Sequence, residues 1–136
     1  MKPFIYFFTA AALLILTSCQ KETVNPGIEQ QLIGKWKFES TILGLNGVRY
    51  VAVPSQVDII EFKSDHTFVR TTNGDPVAHG NYDITQSKSI FTQKNDNTLS
   101  FYPEQGPPNI IRIASDTLYM AQNVYDGSSS EFSKVK

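Results

Sequence analysis

The sequence predicts an all-β fold, a small antiparallel up-and-down barrel of about eight strands, and three observations carry that expectation. Apolar and polar residues alternate in short segments from Ile33 onward: Trp36/Phe38, Ile60/Phe62, Phe68, Tyr82/Ile84, Leu99/Phe101, Ile111/Ile113 and Leu118/Met120. Alternation of this period turns one face of a strand to a core and the other to water. Turn chemistry separates these segments at intervals of roughly ten residues, the spacing of consecutive hairpins. Beyond the N-terminal apolar run, no stretch keeps a helical period for more than one or two turns; Ile28 to Ile33 has room for one turn ahead of the first strand.

The elements follow in order. Lys2 supplies a positive start, Phe4 to Leu16 is apolar but for Thr9, and Leu16-Thr17-Ser18-Cys19 then places small residues before a cysteine. That order is a secretory signal. A helix of about 14 residues is roughly 21 Å long, short of a hydrocarbon core of about 30 Å, so it is not expected to remain as a span. Residues 1–18 are therefore expected to form a cleaved signal helix.

The block Leu16-Thr17-Ser18-Cys19 resembles the lipobox of bacterial lipoproteins. The resemblance implies cleavage before Cys19, a diacylglycerol thioether on its sulfur and a palmitate-type acyl chain on the new amino group. No other cofactor is expected. The competing reading is an ordinary signal peptide with an isolated cysteine. Each buried methylene contributes about 0.8 kcal/mol, so two or three chains anchor a domain durably. Cys19 is the sole cysteine, which excludes an internal disulfide. Removing the 18 residues ahead of it from 136 leaves 118, enough for one domain with a single core. The formal charge of the whole chain is −1, with no Lys/Arg cluster, which argues against nucleic acid as a partner.

Residues 19–31 read as a lipidated tether. Gln20 to Gly27 is polar, lacks periodicity and ends in a Pro-Gly break. Its Gln20-Lys21-Glu22 start is similar to the Gln/Lys-plus-acid export tags of Bacteroidetes lipoproteins, an arbitrary polar linker being the alternative. The resemblance implies an outer-membrane lipoprotein, with the periplasmic and the surface-facing side both open.

Residues 32–136 form the barrel domain. Asn46-Gly47 is a strong hairpin signal because both residues tolerate positive φ. Later punctuation falls at Ser64-Asp65-His66, Asn73-Gly74-Asp75-Pro76, Asn95-Asp96-Asn97, Gly106-Pro107-Pro108, Ser115-Asp116-Thr117 and Asp126-Gly127. Closing such a meander removes edges prone to aggregation.

Four blocks carry a second resemblance. Gly34-Lys35-Trp36 has the Gly-x-Trp form that enters the first strand of lipocalins. Ile60-Glu61-Phe62-Lys63-Ser64-Asp65-His66-Thr67-Phe68 matches a strand–turn–strand block reading Phe-x-x-Asp-Gly-Thr-Phe/Tyr. Gly80-Asn81-Tyr82-Asp83-Ile84 matches Gly-x-Tyr-x-Ile, and Ile113 to Met120 is similar to a late Ile-x-x-Ser-x-Asp-Thr-Leu hairpin, with Ser115-Asp116 closer together than usual. Together they make the chain similar to lipocalin-like bacterial lipoproteins from Leu32 to about Phe132. Gly34 is then expected to let the chain bend under the barrel, and Trp36 to plug its closed end. His66 stands where the family has Gly, at a position expected to need a left-handed backbone. The family packs a last-strand Arg over the entry Trp; here the last strand offers Lys134 or Lys136.

The candidate sites divide unevenly. His66 in a turn and His79 beside Gly80 show no metal-ligand spacing, and Asn95-Asp96-Asn97 is a fragment of a calcium loop without its other ligands. No nucleophile elbow, phosphate loop or Cys/His pair is present, so a non-enzymatic role is expected, with no metal. Arg70 shares the inward face of Phe68, and a guanidinium there suits an anionic head group. Tyr82 is expected nearby, with an apolar wall from Phe38, Phe62, Ile84 and Phe101. The competing readings put Arg70 at the rim, or pair it with Asp58 or Glu61. The leading function is binding of a small, partly apolar or amphipathic ligand inside the barrel. The alternative is a filled barrel acting as a protein- or envelope-interaction module.

Overall fold

The computed structural model describes residues 26–136. The expected signal segment 1–18, Cys19 and the expected tether up to Asn25 lie outside the described residues. The chain runs α1 (Pro26–Leu32), β1 (Gly34–Ile42), β2 (Arg49–Val51), β3 (Asp58–Phe62), β4 (Thr67–Thr72), β5 (Asp75–Lys88), β6 (Asn95–Tyr102), β7 (Asn109–Ala114), β8 (Thr117–Gln122) and β9 (Ser129–Lys134). Every neighbouring pair is antiparallel, and β9 returns to β1 from Trp36↔Lys134 to Ile42↔Ser129. Eight strands thus close a barrel, as the alternation and turn spacing predict. The short β2 is the ninth. It pairs with Ser40–Ile42 at the far end of β1, while β3 pairs with Gly34–Lys37 at the near end.

The turn residues explain the up-and-down path. His66 (φ 63°), Asn73 (φ 53°) and Ser115 (φ 54°) take the left-handed backbone that lets strands reverse tightly. Asn95-Asp96-Asn97 is not a turn: these residues belong to β6 and pair with Lys88, Ser87 and Gln86. The reversal lies before them, where the Ser89 hydroxyl, fully buried, accepts bonds from the backbone N–H groups of Phe91 (3.1 Å) and Thr92 (3.3 Å). A side-chain cap inside an apolar-looking stretch (Ile90, Phe91) competes well with the more obvious Asn/Asp cluster.

One end of the barrel is packed solid. Leu32, Trp36, Phe68, Leu99 and Leu118 have no exposed surface, and Phe62 and Tyr82 are within 2% of it. Helix α1 caps this end, contributing Ile28 and Leu32 to the core. Residues 26–31, polar enough to read as tether, therefore belong to the folded unit. Trp36 ties cap to barrel: its indole N–H donates to the Leu32 carbonyl at 2.7 Å. The Lys134 ammonium lies 4.8 Å from the centre of the Trp36 ring and donates to the Gln31 carbonyl at 2.8 Å. Gly34 makes the bend between helix and strand possible with φ 124°, a conformation that L side chains rarely adopt. At Gly80 the constraint is space, since a Cβ would run into the Tyr102 carbonyl and against the Phe68 ring.

Trp36→Ala is expected to cost about 3–5 kcal/mol by removing the plug and orphaning the Leu32 carbonyl. Chemical denaturation measures this. A loss under about 1 kcal/mol would mean that the packed end does not depend on the indole.

Candidate functional site

The other end of the barrel is hollow. A cavity of about 500 Å³ opens there, with lining residues from each of the eight barrel strands. Its inner wall is apolar, formed by Phe38, Ile60, Phe101, Met120 and Phe132. Phe38 and Phe132 meet edge to face across the β1–β9 seam, with ring centres 5.7 Å apart. Near the mouth the lining becomes polar, with Asp58, Arg70, Thr72, Asn109, Gln122 and Ser128. The gradient follows from strand direction. Asp58 and Gln122 sit at the open ends of their strands, whereas Ile60 and Met120 are two positions deeper on the same faces.

The β6–β7 loop forms part of the wall through Glu104, Gln105, Gly106 and Pro107. Few pairs join β6 to β7, only Thr98↔Ile110 and Leu99↔Asn109, so the seam between them parts toward the mouth and the loop fills it. Arg70 holds this loop. Its Nη1 donates to both carboxylate oxygens of Glu104, at 2.7 and 2.8 Å. Its guanidinium also lies 4.7 Å from the Phe101 ring centre and 5.2 Å from that of Phe68. The partner is Glu104, and neither Asp58 nor Glu61 has that role. Sequence separation hid this partner: Glu104 lies in a Pro-rich loop whose course no periodicity specifies.

Asp58 is engaged differently. Its two oxygens accept from the Thr72 hydroxyl and from the Gln56 side-chain amide, both neutral groups. Among the described residues it has no ion-pair partner.

The residues singled out in the sequence fall into two groups. Phe38, Arg70 and Phe101 line the cavity. Phe62, Tyr82 and Ile84 do not; they lie in the packed core, where Phe62 meets Tyr82 edge to face at 5.1 Å and stacks on Phe101 at 6.1 Å. Tyr82 pairs with the cavity-lining Phe101 across the β5–β6 ladder but is buried in the core, and its hydroxyl donates to the Lys63 carbonyl at 2.7 Å. Burial first, and then the negative charges of Glu29 and Asp65, hold its pKa above the ordinary 10.0. Thr67 bonds to the Asp65 carboxylate from both side chain and backbone, which lowers that group's pKa and braces the turn. His66 stacks on Tyr82 with ring centres 5.4 Å apart, and its Nε2 meets Glu29 of the cap at 2.8 Å. That histidine joins helix to hairpin. His79 is exposed on β5. No group of three or more His, Cys, Asp or Glu that would hold a metal occurs among the described residues.

No family model, curated protein or solved structure matches this chain.

Two outcomes follow from this geometry. The folded state favours the neutral phenol of Tyr82, so its contribution is fully present below pH 10.0 and is lost as pH rises through the raised folded value. Denaturation at increasing alkalinity is expected to show that fall, and Tyr82→Phe to flatten it; an unchanged profile in the variant would refute the assignment. Arg70→Met removes a partly exposed ion pair and two ring contacts, and is expected to cost only about 1–2 kcal/mol in equilibrium unfolding.

Proposed function

We propose that this chain is a lipid-anchored, lipocalin-like lipoprotein of the outer membrane that binds a small, partly apolar molecule, without catalysis, in the open half of its barrel. The observation that carries the reading is the cavity of about 500 Å³, apolar within and polar at its mouth. Volumes of several hundred Å³ with an apolar wall and a few polar groups are typical of small-molecule sites. Barrels of eight strands have an interior that either fills with side chains or holds one such ligand.

Local features support the lipocalin-like assignment. Gly34 and Trp36 enter the first strand, and Lys134 of the last strand covers the indole where the family has Arg. Both side chains are cations over a ring face, so the substitution keeps the contact. The membrane anchor rests on Leu16-Thr17-Ser18-Cys19 and the apolar run before it.

A second reading, an interaction module, has one observation in its favour. Leu45, Tyr50, Val51 and Val53, on and around β2, are all more than half exposed, and β2 lies at the end of the strand order with a single partner. Exposed apolar residues beside an unpaired strand edge suit a protein contact.

Native mass spectrometry of the protein purified from its own host tests both. The expected result is a non-covalent small molecule on the folded chain, released on unfolding. A co-purified polypeptide without a small molecule would favour the second reading, and a bare chain that also takes up no apolar fluorophore would overturn the first.

A further inference from the structure

The charge balance of the cavity mouth says what kind of polar end a ligand needs. Among the described residues, three ionisable side chains line the cavity: Asp58, Arg70 and Glu104. Arg70 and Glu104 are joined by two short hydrogen bonds, so each has its opposite charge in contact. Asp58 is left as the carboxylate without a cation, since Thr72 and Gln56 bring no charge to it. Two carboxylates against one guanidinium leave one negative charge facing the space.

An anionic head group would enter against that charge and would meet a guanidinium whose charge Glu104 already offsets. A cation is drawn by the same charge. A carboxylate has about four lone-pair sites, so Asp58 keeps room for further donors beside the two that it holds. Below it the wall presents the rings of Phe38, Phe101 and Phe132, whose area suits an apolar body.

We infer that the cavity is selective for organic amines: an ammonium group hydrogen-bonded to Asp58 at the mouth, with an aromatic or aliphatic body against Phe38, Phe101 and Phe132. The inference rests on the cavity being a ligand site, as proposed above, and adds the ligand's charge. Arg70 acts here as a positioning residue that holds the β6–β7 loop through Glu104, and it does not touch the ligand's cation.

Three probes with one naphthyl body separate the two questions: naphthylmethylamine, naphthylmethanol and naphthylacetate, compared by equilibrium dialysis against the purified lipidated protein with a protein-free control. The amine is expected to bind at least about tenfold more tightly than the acetate, with the alcohol between them. Asp58→Asn is expected to bring the amine down to the level of the alcohol. Retention of all three in the order expected, with that loss, supports the inference. Binding of the alcohol with no preference for the amine, or a preference for the acetate, overturns the inference and leaves the cavity as a ligand site. Failure of all three to bind overturns both. Should Asp58→Asn not fold, the ranking in the unaltered protein still decides the charge. The double variant Arg70→Met with Glu104→Gln removes the neutralised pair and keeps Asp58, so it decides the residue: loss of the amine preference there would overturn the assignment to Asp58.

Discussion

Closure of β9 onto β1 is the constraint on which the other features depend. Once Trp36 to Ile42 pairs with Ser129 to Lys134, the sheet has an inside, and every inward side chain must be accommodated within a fixed circumference. The same pairing brings Lys134 of the last strand over Trp36 of the first and within reach of the Gln31 carbonyl. A contact between chain ends thereby becomes part of the floor. Were the sheet to stay open, Trp36 would lose its lid, and α1 would have no rim to cap.

Closure also divides the interior by height. Large side chains from nearly every strand converge on the α1 end, where Trp36, Phe62, Phe68, Tyr82 and Leu118 leave no exposed surface or almost none. Toward the other end the inward positions become smaller or polar: Thr72, Asn109, Ser128 and Ser130. Such residues do not fill a barrel cross-section, and a cavity results. The solid floor therefore provides the stability, and the mouth is free to carry side chains that contribute little to it. Charged groups such as Asp58 and Arg70 are tolerated there because water reaches them.

The mouth has its own division of labour. Where β6 and β7 part, the loop from Glu104 to Pro107 replaces a strand wall, and a single ion pair with Arg70 holds it in place. Arg70 in turn lies over Phe101 and Phe68, so the loop, the cation and the aromatic wall form one arrangement. Using the guanidinium for this purpose leaves Asp58 as the group with unspent charge. The polarity of the site is thus a consequence of how the loop is fastened.

Much of this fold was legible in the chain because strand periodicity and turn chemistry are local. Trp36, Ile60, Phe62, Phe68, Tyr82, Ile84 and Leu99 are all buried where alternation put them, and His66 takes the positive φ expected of a position that favours glycine. Local signals failed where another local option competed, as when Ser89 capped a turn ahead of Asn95-Asp96-Asn97. The candidate site was legible only in part. Alternation tells in from out but carries no information on depth along the barrel axis, so Phe62, Tyr82 and Ile84 could not be told from Phe38, Phe101 and Arg70. Nor could it supply the partner of Arg70, since Glu104 meets it across 34 positions through a loop without periodic pattern. By itself the sequence determined that the chain is all-β, where most of its strands turn and which residues face inward, because these depend on neighbours a few bonds apart. Only the tertiary structure decided that the interior is half floor and half cavity, and which charge is left unpaired at its mouth, because those depend on how the strands stagger when the sheet closes.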